Sequence, residues 1–253
     1  MPRLSKFRKD ALRGCVDDLI AKAQKGPYDA SGIYLDLNAE SDILVISCSG
    51  IAPSGTVTYG MESFTRNWPI KRLFICDKRN NWYQRGIAGF TQNLDETAFL
   101  ISQFLRRVAP KRACAIGASG GGYMALLLTA RCRLNRALAF GPQTTLSQKW
   151  RKEHGDCRFG PEVSDIHDFT GPEGVPDILD NTGGEFHIIY PSGHSLDLLH
   201  AERLMGKAHL YRMNTPHHNV AATLRDHGIL QDVLNVFMSS ESVSTDLSPL
   251  IPS

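Results

Sequence analysis

The sequence has no C-x-x-C pair, no cysteine joined to histidines at zinc-finger spacing, no run of 18 apolar residues and no internal repeat. Each absence excludes something. Without paired ligand spacings, the six cysteines (Cys15, Cys48, Cys76, Cys114, Cys132 and Cys157) imply no metal site. Cys48, Cys76 and Cys114 fall inside apolar runs, where a thiol behaves as a small buried hydrophobe. Reduced thiols and a cytoplasmic location are therefore expected. The missing long apolar run argues against a membrane-spanning helix. The N-terminal basic residues Arg3, Lys6, Arg8, Lys9 and Arg13 are interrupted by Asp10, Asp17 and Asp18, and no apolar stretch follows, so no secretory signal is read there. An excess of one charge is also lacking. Lys and Arg total 28 against 26 Asp and Glu, a scattered net +2 that gives no stripe for nucleic acid or an anionic membrane.

What is present is enough for one full core: 253 residues, 42% hydrophobic and 21% charged, read as a single domain over residues 1–253. Short apolar runs at 33–37, 43–48, 72–76, 113–116, 137–140, 186–190 and 208–213 read as strands. Between them lie stretches of helical period at 94–108, from Ser119 to about 131, 196–205 and about 220–238. That alternation predicts an α/β fold with a mostly parallel central sheet and helices on both faces. From 143 to 184 it gives way to a stretch rich in Gly, Pro, Asp and Arg, too long for an ordinary connection and expected to be an inserted cap. The Ser- and Pro-rich tail from 239 onward is expected to fray.

The stretch Gly117-Ala118-Ser119-Gly120-Gly121-Gly122 fits G-x-S-x-G directly after a buried strand and directly before a helix. In such a turn the serine hydroxyl stands exposed above the sheet, and the next backbone N–H, that of Gly120, points from a helix N-terminus toward a developing oxyanion. A P-loop is excluded because Tyr123 and Met124, not Lys and Ser or Thr, follow the glycines. A dinucleotide loop is disfavoured because Ser119 replaces its second glycine and no acidic residue closes the next strand near Phe140. A purely structural glycine turn stays open on this segment alone.

The strand, elbow and helix, with a later acid-bearing loop and a late histidine, resemble the α/β-hydrolase superfamily, over residues of about 33 to 238. The resemblance implies the chain order Ser, acid, His. The loop after the strand at 186–190 holds one carboxylate, Asp197, which becomes the expected acid, although an aspartate there also suits a helix N-terminus. Asp177 and Asp180 precede the strand and are outside candidates. The loop after the last strand offers both His217 and His218. The stretch from His218 to Leu224 resembles an H-x-V-A-x-x-L pattern of bacterial members, so His218 is the preferred base and His217 the alternative. His187, His194, His200, His209 and His227 are read as ordinary polar or structural residues.

By the same resemblance the second oxyanion donor is the N–H of Ile51, with Gly50 permitting the tight turn, although Ser49-Gly50 stands where related enzymes carry His-Gly. Asn81-Trp82-Tyr83-Gln84-Arg85-Gly86 and Leu138-Ala139-Phe140-Gly141-Pro142-Gln143 resemble segments of bacterial hydrolase-like proteins, some associated with surface polysaccharide. Gly50, Trp82 and Tyr83 are the expected substrate-contacting residues, the two aromatics either lining the pocket or simply packing a loop over the core. The implied function is a serine hydrolase, favoured as a carboxylesterase, acting on a small-molecule ester through an acyl-enzyme on Ser119, with no cofactor. An acyltransferase using the same triad and a non-catalytic binding protein of the same fold are the alternatives.

Overall fold

The computed structural model describes residues 4–52, 55–158, 174–180, 182–239 and 246–252. Among these, eight strands form one sheet: β1 (Tyr28–Asp29), β2 (Ile33–Asp36), β3 (Ile43–Cys48), β4 (Lys71–Ile75), β5 (Arg112–Ala118), β6 (Arg136–Phe140), β7 (Glu185–Pro191) and β8 (His209–Met213). Their order is β1-β2-β4-β3-β5-β6-β7-β8. The β1–β2 and β2–β4 pairs are antiparallel, and every other pair is parallel. The helices among the described residues are α1 (Lys6–Ala23), α2 (Glu62–Thr65), α3 (Leu94–Val108), α4 (Gly120–Cys132), α5 (Gln148–Glu153), α6 (Pro176–Leu179), α7 (Ser195–Glu202), α8 (Val220–Asp226) and α9 (Leu230–Ser239).

Two apolar layers follow from the two-residue period of the central strands. Leu44, Ile46, Ala113, Ala115, Ala137 and Ala139 face a cluster completed by α1, α3 and α4. Their neighbours Val45, Cys114, Ile116, Leu138 and Phe140 face the other cluster, completed by α8 and α9. Small alanines on the first face let α4, which is apolar nearly all round, lie directly on the sheet. The inner parallel strands β3, β5, β6 and β7 are buried along most of their length, as the uninterrupted apolar runs require, whereas edge strand β8 leaves His209 and Arg212 exposed.

Several sequence expectations are corrected. The 18-residue helix α1 lies outside the segments read as helical, yet Leu12, Val16, Leu19 and Ala23 recur at helical spacing and are buried. The helical reading of 220–238 stands, as two helices parted at Gly228, whose φ of 74° ends the first. The strand read at 113–116 extends over Arg112–Ala118. The tail at 240–245 and 253 lies outside the described residues, but in its described part Leu247 is fully buried in the second cluster rather than frayed. Part of the expected cap, 159–173 and 181, lies outside the described residues. Its described part packs against α7: Trp150 of α5 lies 4.6 Å from the His200 ring, and the Thr144 N–H donates to His200 Nδ1 at 3.1 Å.

No helix of the described residues is long and apolar enough to cross a membrane. The sheet order reverses at β3, with β4 on one side and β5 on the other. In open parallel sheets, the carboxyl ends of strands at such a reversal border the crevice where ligands bind.

Candidate active site

The turn from β5 into α4 puts Ser119 at φ 52° and ψ −121°, a backbone conformation that costs a residue with a side chain about 1–3 kcal/mol. The flanking glycines are dictated by space. A Cβ on Gly117 would lie 2.3 Å from the Gly121 backbone, and one on Gly121 would lie 2.1 Å from the Cys48 carbonyl oxygen. Gly50 is held the same way, since its Cβ would meet the Ala118 carbonyl at 2.8 Å. Strand, helix and the loop after β3 therefore approach one another through positions without side chains.

His218 Nε2 lies 3.0 Å from Ser119 Oγ, and His218 Nδ1 lies 2.7 Å from Asp197 Oδ2. A carboxylate only accepts, so Nδ1 carries the proton and Nε2 is left to accept from the serine hydroxyl. Asp197 sits in the first turn of α7, 2% exposed, and its own N–H donates to His194 Nδ1 at 3.3 Å. It thus joins the helix-terminal and histidine-facing placements expected of it. Burial pushes the Asp197 carboxyl up, but the hydrogen bonds and charges of His218 and Arg158 outweigh it and hold the group below the usual carboxylate range. His217, one residue earlier, is exposed. Asp177 and Asp180 do not join this cluster; Asp180 pairs instead with Lys207 at 2.7 Å.

Gly50, Ile51, Ser119, Phe140, His218 and Asn219 line a cavity of about 360 Å³ that opens on this cluster. Trp82 and Tyr83 do not line that cavity. They are 1% and 0% exposed and pack behind it, beside Gly50, Ile51 and Gly120. The cause is Asp77, whose carboxylate accepts the N–H groups of Arg79, Asn81 and Tyr83 at 3.1, 2.7 and 2.9 Å. The loop is thereby wound through positive φ at Asn80, Trp82 and Tyr83, turning both aromatic rings inward. The Tyr83 hydroxyl donates to the Ser49 carbonyl at 2.9 Å, and the Asn80 amide clamps Ala52, accepting its N–H at 3.1 Å and donating to its carbonyl at 2.6 Å. The loop that carries Gly50 and Ile51 is tied down from outside by Tyr83, in the packing role weighed for it as the alternative, and by Asn80, for which the sequence suggests no role.

Three further residues of the site escape sequence reading. Gln143 is 2% exposed and its amide abuts Ser119 Oγ, with Nε2 at 3.2 Å and Oε1 at 3.3 Å. Arg158 donates from Nη1 to Asp197 Oδ1 at 2.7 Å and grips Asp156 through Nε and Nη2 at 3.0 and 3.1 Å. Asp156 in turn lies 3.5 Å from Nε2 of His200, whose pKa burial pushes down. Among the described residues, no group of three or more His, Cys, Asp or Glu side chains is arranged to hold a metal ion.

An eight-stranded, mostly parallel sheet with a serine on the β5–α4 turn and later-arriving acid and histidine has an α/β-hydrolase-like architecture. Solved structures agree on the fold. The chain is similar to the capsule O-acetyltransferase of Neisseria meningitidis serogroup A, with a TM-score of 0.57, 16% identity, and coverage of 81% of this chain and 94% of that one. It is also similar to an esterase of Pyrococcus furiosus, with a TM-score of 0.55, 14% identity, and coverage of 84% and 88%. A third likeness is to the 2,6-dihydroxy-pseudo-oxynicotine hydrolase, with a TM-score of 0.59, 14% identity, and coverage of 91% and 76%. No protein-family model and no curated protein matches the chain.

Proposed function

We propose that the chain is a serine hydrolase that cleaves an ester or related acyl bond of a small molecule, with carboxylester hydrolysis as its most economical form. The observation that carries this reading is the connected line from Ser119 Oγ through His218 to Asp197, 3.0 and 2.7 Å long in its two links, at the mouth of a cavity. In the proposed reaction Ser119 Oγ attacks the acyl carbonyl carbon as His218 Nε2 takes its proton. Asp197 holds the imidazole tautomer and balances the imidazolium charge. The N–H groups of Gly120 and Ile51 receive the oxyanion. The intermediate collapses, the C–O bond to the alcohol breaks, and His218 returns the proton to the departing oxygen. Water, deprotonated by His218, then attacks the acyl-enzyme and releases the acid and Ser119. Fold alone carries no activity.

The same proposal takes the substrate to be a small soluble ester, the compartment to be cytoplasmic, and the segment 143–184 to act as a cap. The large apolar side chains that stand exposed among the described residues are Phe7 and Met205, neither of them at the cavity, which supports action on dissolved substrate rather than at a lipid surface. The test is labelling with a fluorophosphonate and mapping of the adduct by peptide mass. The adduct is expected on Ser119, and Ser119→Ala is expected to lower kcat by about 10³-fold or more with the fold intact. No adduct would favour a non-catalytic binding protein.

A second reading, acyl transfer to a hydroxyl acceptor, is supported by the likeness to a capsule O-acetyltransferase, one mutant of which is solved in complex with CoA. An acetylated product formed when glycerol or a sugar is added to the acyl-enzyme would favour transfer over hydrolysis.

A further inference from the structure

The two segments that stand out in the sequence beside the elbow, 81–86 and 138–143, meet at the nucleophile. Trp82 Nε1 donates to Gln143 Oε1 at 3.0 Å, and both side chains are buried, at 1% and 2% exposure. An indole N–H is a donor and never an acceptor. Both ends of the amide lie near Ser119 Oγ, Oε1 at 3.3 Å and Nε2 at 3.2 Å, but the oxygen is engaged by Trp82, so the NH₂ group is the end left to bond Ser119. Ser119 has one proton, and His218 Nε2 at 3.0 Å takes it, so Oγ meets Gln143 as an acceptor.

We propose, building on the Ser119 reading above, that Gln143 is a further catalytic residue that donates its amide N–H to Ser119 Oγ, and that Trp82 is the positioning residue that keeps the donor end turned to the nucleophile. The consequence differs between the two half-reactions. In the free enzyme Oγ is a hydroxyl oxygen that already accepts the N–H, so little new interaction appears as it attacks. In the acyl-enzyme Oγ is an ester oxygen, a poor acceptor, and the N–H is left without its full bond. Water adds to the acyl carbon as His218 Nε2 takes its proton, and when the tetrahedral intermediate collapses the C–Oγ bond breaks, its electron pair passes to Oγ, and Oγ takes that proton back from His218 Nε2. Gln143 then regains its bond in the transition state. Interactions stronger in the transition state than in the preceding ground state accelerate that step. Gln143 thus serves deacylation more than acylation.

The geometry at Trp82 explains its backbone. A tryptophan at φ 53° is strained, and the strain is held in place by the Asp77 carboxylate beneath the loop. The indole edge also lies 3.3 Å from where a Gly120 Cβ would stand, so the same ring fills the space behind the elbow.

The experiment follows p-nitrophenyl acetate turnover in stopped flow, together with intact-mass measurement of acetylated protein, in the wild type, Gln143→Met, Gln143→Glu, Trp82→Phe and the Gln143→Met/Trp82→Phe double variant. Gln143→Met keeps the volume and removes the donor. It is expected to slow deacylation by about 10- to 100-fold while acylation changes by less than about threefold, so that acetyl-Ser119 accumulates. Gln143→Glu places an acceptor where the donor stood and is expected to slow both steps. Trp82→Phe is expected to give a smaller deacylation loss when Gln143 is present and no further loss when it is combined with Gln143→Met, since the lock then has nothing left to hold. The ratio of the two rates is independent of the fraction of protein folded, so a damaged core cannot imitate the result. Equal slowing of both steps in Gln143→Met, or additive losses in the double variant, would overturn the role of Gln143 alone. A wild type that is never acetylated on Ser119 would overturn it together with the hydrolase reading.

Discussion

Arg158 holds the oxygen of Asp197 that His218 does not: Nη1 donates to Oδ1 at 2.7 Å, while His218 takes Oδ2 at 2.7 Å. The guanidinium is itself steadied by Asp156, so a segment from the middle of the chain is fastened to the carboxylate that faces the histidine. Removing one partner of a buried pair leaves the other charge uncompensated. In Arg158→Met the Asp197 carboxyl, now held below its ordinary value of 3.8, is expected to rise. A depressed carboxyl stabilises the fold above its unfolded pKa, and that stability is lost as pH falls through the folded value. The melting temperatures of wild type and Arg158→Met should therefore differ most near pH 7 and converge as pH drops below about 4. A constant difference across that range would mean that Arg158 acts only through packing.

The two neighbouring histidines are expected to separate sharply on substitution. His218 lies within hydrogen-bonding distance of both Ser119 and Asp197, whereas His217 is exposed and reaches neither. Ester hydrolysis by His218→Ala should fall by about 10³-fold, and by His217→Ala within about threefold. Comparable losses in the two variants would contradict this assignment of the base.

A second titration is built into the sheet away from the cavity. His187 of β7 is fully buried, with Tyr211 Oη 2.9 Å from Nδ1, Glu185 3.5 Å from Nε2, and the His209 ring 4.9 Å away. Burial, with His209 and Arg136 adding to it, pushes its pKa down from 6.5 to about 3. The unfolded chain binds the proton first, so the stability from keeping this imidazole neutral is complete above 6.5 and is lost progressively as pH falls toward the folded value. Urea midpoints of the wild type should decline between about pH 6 and 4, and His187→Gln should flatten that decline. An unchanged slope in the variant would place the acid sensitivity elsewhere.

One substitution, Gly to Ala, should have opposite signs at two helical positions. At Gly121 the new Cβ would lie 2.1 Å from the Cys48 carbonyl oxygen and 2.8 Å from the Ser49 carbonyl carbon, backbone atoms that cannot move aside singly. Gly121→Ala is expected to cost at least about 1–3 kcal/mol. Gly14 is exposed in α1 with no atom within 4 Å of where an alanine methyl would stand, and Gly14→Ala should gain about 0.5–1 kcal/mol. Chemical denaturation of both variants checks the contrast.

What the sequence makes legible follows the range of the forces involved. The elbow is legible because its demand is local: Gly117 and Gly121 are required by atoms within a few residues or on the next strand, and the pattern is contiguous. The relation of Ser119, Asp197 and His218 is reached through chain order, which the parallel topology preserves. The bonds from Trp82 to Gln143 and from Arg158 to Asp197 join residues 61 and 39 apart, with no spacing rule to link them. Nor does periodicity reveal that Asp77 winds its loop through positive φ and turns Trp82 and Tyr83 away from the cavity. Helix α1 is a different case. Its Leu12, Val16, Leu19 and Ala23 stripe is visible, but the charged residues interleaved with it draw the eye to charge rather than period.

Ser119 and His218 lie 99 positions apart in sequence, a long-range contact whose intervening chain includes β6, β7 and β8, laid in order beside β5. Contacts of high sequence separation are late and slow to form, because the chain between them must first be ordered. During refolding from urea, far-UV circular dichroism, which sums all the helices, is expected to recover before the proposed reactivity of Ser119 toward a fluorophosphonate. On the proposed reading the serine then serves as a clock for completion of the sheet, its labelling counting finished molecules where spectroscopy counts helices.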